Sequence, residues 1–276
     1  MAADKINLTA GVRANLLSLQ RTTSLIDIVQ TRLSTGLKVN SAIDDASAFF
    51  TARSLTNRAD DLTNLKENID LSISALQAAI AGIEAITELV EQAKGLANTA
   101  KATGDTNERS LLAVQFNELL GQINDLANDS SFNGTNLISA TPDNLEVDFN
   151  EDGSSDLTIT GLDSTTATTG IEISVAANDF GNTADINTAI GELNSALTEL
   201  RTNAATLGSN NTVLQTRLNF TEELSNTLEE GSGKLTLADI NEESANLLAL
   251  QTRQQLGINS LSLASQAERA ILSLFG

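Results

Sequence analysis

The chain has 276 residues and a formal net charge of −20 at pH 7, and it contains neither cysteine nor histidine. These absences exclude cysteine nucleophiles, disulfides, thiolate and imidazole metal ligands, and the usual proton shuttle at neutral pH. The aromatic content is 3%, all of it phenylalanine. The apolar content is thus mainly Leu, Ile, Val and Ala, which suits long helices packed side by side. No nucleophile, base and oxyanion donor can be picked out as a set, so the prediction is that the protein is not an enzyme.

The negative charge is concentrated in the middle of the chain. Residues 1–40 carry a net charge of +3 and residues 241–276 a net charge of −1, which leaves −22 for residues 41–240. Such an acidic region repels nucleic acid and anionic membranes. The sequence has no run of 18 apolar residues, so no membrane insertion is expected. The first residues lack a basic segment followed by an apolar stretch, so no cleavable secretory signal is expected either.

The first half of the chain has helical periodicity. A narrow apolar stripe with heptad spacing predicts a helix over residues 12–33, and a break follows at Ser34–Gly36. The segment Ser41–Asp44 then resembles a capping box at the start of a second, longer helix that ends near Gly104. A third helix is predicted at about residues 107–128.

Residues 130–181 have a different character, because glycine is concentrated there and the single proline lies among them. Alternating apolar and polar residues predict short strands at Leu145–Phe149 and Leu157–Thr160. A third strand is predicted at Ile171–Val175. The patch Ser164–Thr169 before it is interpreted as a flexible loop, with O-glycosylation as the alternative.

Helical periodicity resumes and reaches the end of the chain. Apolar and small positions alternate in steps of four and three from Ile186 to Leu218, and the pair Gly231 and Gly233 is predicted to end this helix. A last helix is predicted at about residues 237–275.

The predicted fold is mainly α. Long antiparallel helices form a coiled-coil-like bundle, the terminal helices pair, and there is one small β-hairpin region. On pattern alone, a closed bundle and a self-associating polymer are equally supported. The predicted domains are an inner terminal coiled coil at 1–40 and 236–276, a long-helix bundle at 41–137 and 181–235, and a β-hairpin and loop region at 138–180.

Three motifs resemble those of bacterial flagellins. Thr31–Ala46, T-R-L-S-T-G-L-K-V-N-S-A-I-D-D-A, resembles the N-terminal signature of that family, and Leu250–Ala267 resembles its C-terminal partner. Between them, Ser131–Leu137, S-F-N-G-T-N-L, is similar to the turn before the flagellin hairpin. The three motifs occur in the family's order. The segment between the Ser131–Leu137 turn and the returning helix is short, which implies that outer domains are absent.

The resemblance implies a structural subunit that self-assembles through its N- and C-terminal helices into the bacterial flagellar filament for swimming motility. The subunit would be secreted through the flagellar type III apparatus and function outside the cell. The implied partners are further copies of the chain, an export chaperone, the filament cap and the hook–filament junction proteins. The alternatives are that the chain is itself a hook–filament junction protein, or a flagellin-like surface adhesin. The predicted polymerisation interface consists of seven apolar residues on the two terminal stripes: Leu16, Leu19, Ile26, Leu33, Leu261, Ile271 and Leu274.

One loop matches a cation-binding pattern, although the predicted function requires no cofactor. Asp148, Asn150, Asp152 and Asp156 fit D-x-N-x-D-G-x-x-D, in which Gly153 permits the bend that turns alternate side chains inward. Oxygen ligands of this type suit calcium. The alternative is a solvated hairpin turn.

The resemblance also bears on immune recognition. In flagellins of many enteric bacteria, an arginine-bearing helical segment engages the vertebrate innate flagellin receptor. Gapless alignment from Asp44 places that segment at Glu91–Leu96, with Gln92 where the arginine would be and Gly95 where a glutamate would be. Weak activation of the receptor is therefore expected.

Overall fold

The protein is described by a computed structural model that places residues 10–275, with the side chains of Glu268 and residues 271–275 left out of the description. The described part is mainly α-helical, as predicted, with one two-stranded antiparallel sheet. Its helices are α1 (Ala10–Thr35), α2 (Ala46–Ala102), α3 (Thr106–Asp129), α4 (Thr183–Thr236) and α5 (Ile240–Phe275). The strands are β1 (Leu145–Asp148) and β2 (Asp156–Ile159), and a short 3-10 helix covers Ala177–Phe180.

The predicted end of the returning helix is wrong, because α4 continues through both glycines to Thr236. Glycine inside a helix costs about 1 kcal/mol relative to alanine, so packing must compensate. The hydroxyl of Ser232, between the two glycines, lies 2.9 Å from that of Thr56 on α2. A Cβ added to Gly231 would lie 3.5 Å from the Leu55 side chain, so this glycine lies against α2.

The start of α2 differs in detail from the predicted capping box. Asp45, the residue immediately before the helix, caps it by accepting a hydrogen bond from the Ala48 N–H at 2.9 Å. Ser41 and Asp44 form a separate tight turn, in which the Asp44 N–H donates to the Ser41 carbonyl at 3.1 Å. The four-residue signature is real, but it holds a turn before the helix.

The predicted third strand at Ile171–Val175 is also wrong, because this segment is irregular. Its alternation of burial is present in part, since Ile171 and Ile173 are buried and Val175 is exposed. Loop carbonyls and side chains satisfy its backbone instead of a neighbouring strand: the Ile171 N–H donates to the Thr165 carbonyl and the Ser174 N–H to the Glu192 carboxylate. A buried alternating pattern therefore does not require a strand partner.

Two compact units can be distinguished along the chain, Met1–Asn57 with Thr227–Gly276 and Arg58–Asn226. The predicted domain boundaries stay a prediction. In the second unit, α2, α3 and α4 contribute a core rich in Ile, Leu and Ala, closed by an edge-to-face pair of the Phe116 and Phe180 rings at 5.2 Å. Buried alanines let the helices approach closely, which explains how so few aromatic residues fill the core.

Gly82 marks one point of close approach in this second unit. A Cβ at Gly82 would lie 2.7 Å from Ile138 Cδ1 and would overlap the Ser130 hydroxyl. Helix α2 is also, by length and composition alone, apolar enough to cross a membrane, but half of its most apolar stretch is buried inside the fold. A core helix has the same properties, so this is weak evidence for a membrane span.

Candidate assembly surface

The two linkers in the first unit pair with each other, and we call residues 36–45 with 237–239 the elbow. The N–H groups of Lys38 and Val39 donate to the Thr236 carbonyl, and the Ala238 N–H donates to the Gly36 carbonyl at 2.9 Å. Gly36 has a φ of +72°, which favours glycine because it has no Cβ. The elbow therefore fixes the end of α1 beside the start of α5 through backbone bonds.

An ion pair reinforces the elbow. Arg32 Nη1 on α1 lies 2.9 Å from Glu243 Oε1 in the first turn of α5. Glu243 is buried, and its second oxygen has no hydrogen-bond partner in the described part of the chain. The positive end of the α5 dipole favours a carboxylate at this position. Removing Arg32 would leave a buried carboxylate unpaired, which makes this pair structural.

The turn in the elbow is held by a single carboxylate. Asp44 Oδ2 accepts hydrogen bonds from the Ser41 N–H at 2.9 Å, the Ser41 hydroxyl and the Asn40 N–H. The bond from the Ser41 backbone, followed by the one from its hydroxyl, holds the pKa of Asp44 below its ordinary value. The turn is therefore preorganised while Asp44 is ionised.

Helices α1 and α5 pair through one face of each, which we call the inner face. Ile26 and Val29 of α1 are buried there. Asn15 Nδ2 donates to the Ser260 hydroxyl at 3.0 Å, and a Cβ at Gly257 would lie 3.2 Å from a Leu19 methyl. These contacts set the register between the helices and confirm that the terminal helices pair within one chain.

The predicted interface residues are mostly engaged in this pairing. Ile26 is buried, and Leu19, Leu33 and Leu261 are half-buried. Leu16 is 37% exposed at the edge. The side chains of Ile271 and Leu274 lie outside the described residues, so their predicted role stays a prediction. The heptad stripe in the sequence thus largely marks contact within the chain.

A second set of apolar side chains, which we call the outer face, is exposed to solvent. At 3.6 residues per turn, Leu17 lies half a turn around α1 from Ile26, and Leu256 lies well over a third of a turn around α5 from Leu261. The exposed fractions run from 44% to 67%. The members are Leu17, Leu25 and Ile28 on α1 and Leu248, Leu256 and Leu263 on α5.

Sequence reasoning missed the outer face, although α5 carries a readable signal for it. Ala249, Thr252, Leu256, Leu263 and Ala267 follow one another in steps of three, four, seven and four, and all five are exposed. None of them is charged. A helix with two apolar stripes can bury one within its own chain and has the other left for a partner.

The hairpin loop shows turn chemistry at the predicted calcium ligands. Asn150 Oδ1 accepts from the Ser155 N–H at 3.1 Å, and Asp152 Oδ1 accepts from the Ser154 N–H at 3.0 Å. Hydrogen bonds from the Ser154 side chain, followed by the one from its backbone, hold the pKa of Asp152 below its ordinary value. Asp148 and Asp156 face each other as a cross-strand pair. The described residues contain no group of three His, Cys, Asp or Glu arranged to hold a metal, and calcium binding stays a prediction.

Two other predicted surfaces can be placed. Ser164 and Thr165 are buried, so they belong to the packed structure, and the flexible-loop interpretation is wrong for them. The Asp163 carboxylate accepts hydrogen bonds from the Thr165 and Thr169 hydroxyls, which orders the patch. Gln92 and Gly95 are both exposed on α2, where a partner can reach them.

Paired terminal helices that keep a second apolar face exposed are typical of a helical assembly subunit, because large exposed apolar patches mark interaction sites. The comparisons with known proteins agree with this class. Residues 6–143 match the bacterial flagellin N-terminal helical region, and residues 190–275 match the C-terminal helical region. The chain belongs to the flagellin family.

Two bacterial flagellins match over 94% to 100% of this chain. Flagellin FljO of Caulobacter vibrioides is 34% identical over 276 residues, which cover 100% of both chains. A flagellin of Brucella melitensis is 30% identical and covers 94% of this chain and 95% of its own. A crystal structure of Bacillus cereus flagellin covers 56% of this chain and 88% of its own, with 22% identity and a TM-score of 0.49. The family is structural, and its members form the extracellular flagellar filament.

Proposed function

We propose that this flagellin polymerises through the outer faces of α1 and α5, which become buried between subunits of the filament. One observation carries the proposal: six large apolar side chains, each 44% to 67% exposed, lie on the two helices whose inner faces are already paired. Burying such side chains contributes about 1.5–3 kcal/mol each when they are fully covered. The filament would serve swimming motility.

The same face supports a proposal about the path before assembly. Leu248, Leu256 and Leu263 would expose α5 to unwanted association in the cytoplasm. We propose that an export chaperone covers this helix until the type III apparatus secretes the chain. The filament cap and junction proteins would then meet the same face outside the cell. Gln92 in place of the family's arginine supports weak activation of the innate receptor.

Electron microscopy of purified full-length protein after salt-induced polymerisation tests the proposed function. Long filaments are expected, because the folded chain already exposes the outer face and needs no other protein to do so. Protein that stays monomeric at all salt concentrations, also with filament fragments as seeds, would refute self-assembly. It would favour the junction role, in which the subunit ends a polymer that it does not extend.

A further inference from the structure

The side chain of Ile43 is 96% exposed, at the tip of the elbow turn. Turns of this kind favour Asp, Asn, Ser and Gly, and a β-branched apolar residue contributes nothing to turn chemistry or to the core. The Asp44 carboxylate fixes the turn through its contacts with Ser41 and Asn40. The isoleucine is therefore presented on a rigid support, as an interface anchor requires.

A second exposed apolar side chain follows near the start of α2. Phe50 is 62% exposed and forms an edge-to-face pair with Phe49 at 5.5 Å. On a helical wheel Phe50 lies almost opposite Ala52, which is buried. Phe50 thus points away from the face by which α2 packs, and we call Ile43 and Phe50, which are seven residues apart in the chain, the knob.

The surroundings of the knob are acidic. Asp44 and Asp45 follow Ile43 directly, and both line an elbow cavity of about 540 Å³. Five carboxylates line this cavity, against the two basic side chains of Arg32 and Lys38. Lys38 Nζ donates to the Lys234 carbonyl at 2.9 Å, so its charge is partly engaged. An apolar knob beside excess carboxylates calls for an apolar partner flanked by basic groups.

This chain carries such a partner on α1. Arg13, Leu17 and Arg21 stand four residues apart and are all exposed, so they form a ridge with leucine between two arginines. Neither arginine forms an ion pair within the described part of the chain. We call these three residues the basic ridge.

We propose that the knob of one subunit docks on the basic ridge of a second copy, a contact that rests on the proposed polymerisation and assigns it a head-to-tail step. Leu17 lies 18 residues before the end of α1, about 27 Å along the helix axis, whereas the knob follows that end. One chain therefore cannot satisfy both surfaces by itself. A contact between two different patches either closes into a ring or repeats as an open helix, and a helical polymer is the open case.

Crosslinking tests this contact directly, because the natural chain has no cysteine. Full-length Ile43→Cys and Leu17→Cys proteins are mixed at low fractions into wild-type protein, polymerised, and treated with a short bismaleimide. A crosslinked dimer is expected from filaments and not from monomers. The control pair is Val175→Cys with Leu17→Cys, since Val175 is also exposed but lies in the other unit.

Different results would overturn the docking contact and the polymerisation on which it rests. Filaments that form but give no more 43–17 dimer than the control pair overturn the docking contact. Absence of filaments from the wild-type protein overturns the proposed function itself.

A second measurement is independent of crosslinking. Ile43→Ser should raise the critical concentration for polymerisation roughly ten- to hundredfold, because the side chain is almost wholly available for burial. The thermal melting of its monomer should match that of wild type, whereas Val175→Ser should change neither quantity. An Ile43→Ser protein with the wild-type critical concentration would overturn the proposal.

Discussion

Replacing Leu256 by aspartate separates the outer face from the inner face. Leu256 is 64% exposed on α5, so the folded monomer loses little when its side chain is changed. Exposed substitutions of this kind usually alter the free energy of unfolding by no more than about 0.5 kcal/mol. The melting temperature of the monomer, measured by circular dichroism, should therefore stay close to that of wild type.

The effect on the filament should be much larger. Full burial of a leucine side chain contributes about 1.5–3 kcal/mol, and the 64% that is exposed in the monomer accounts for about 1–2 kcal/mol of this. That loss alone raises the critical concentration about five- to thirtyfold, since each 1.4 kcal/mol is a factor of ten. A carboxylate buried without a partner adds a further penalty. Leu256→Ala should show the first effect without the second.

The assay is sedimentation of polymer at several protein concentrations, with electron microscopy of the pellet. The matched inner-face variant is Ile26→Ala, which should cost about 2–5 kcal/mol in monomer stability because Ile26 is buried. Polymerisation of Leu256→Asp at the wild-type critical concentration would show that the outer face is not buried between subunits. Unfolding of the Leu256→Asp monomer to the same extent as Ile26→Ala would show that Leu256 is part of the monomer core.

Further predictions concern other parts of the chain. Gly82→Ala should destabilise the protein by about 1–3 kcal/mol through overpacking, whereas Gly191→Ala, with open space at its Cβ, should stabilise it by about 0.5–1 kcal/mol; urea unfolding compares them. Asp44 has a lowered pKa, so its contribution is complete above its unfolded pKa of about 4 and is lost as the pH falls through the lower folded value. Melting of wild type against Asp44→Asn should differ at neutral pH and converge in acid. Gln92→Arg should increase signalling by monomer in receptor reporter cells, and an unchanged signal would contradict the alignment. For the predicted calcium site, millimolar calcium should raise the melting temperature of wild type and not of Asp152→Asn; no response to calcium or EDTA removes the site.

Sequence periodicity predicted the helices well because each long helix buries one stripe. The paired terminal helices follow from spacing at Ile26 and Leu261, and the hairpin follows from alternation around Val147 and Ile159. Glycine at 231 and 233 misled the prediction, since packing against α2 outweighs the local preference. The irregular segment at Ile171 shows the same limit, because loop carbonyls and the Glu192 side chain satisfy its backbone.

The assembly surface was harder to predict than the fold. Heptad spacing identifies an apolar stripe but does not say whether its partner is the same chain or another copy. Only the paired structure separates Ile26, which is covered by α5, from Leu17, which is not. Ile43 belongs to no periodic apolar pattern in the sequence. Only the structure shows that its side chain is almost fully exposed.

The pairing of α1 with α5 joins residues that are very far apart in sequence, as the contact of Asn15 with Ser260 shows, 245 positions apart. During synthesis, α1 has no partner until almost the last residues have been made. A chain that is cut short before α5 lacks the inner-face partner, the elbow bonds of Ala238 and the Glu243 carboxylate together. Prematurely terminated chains therefore cannot form the paired helices of a folded subunit. The fold itself thus restricts incorporation into the polymer to chains that have been synthesised almost to the end.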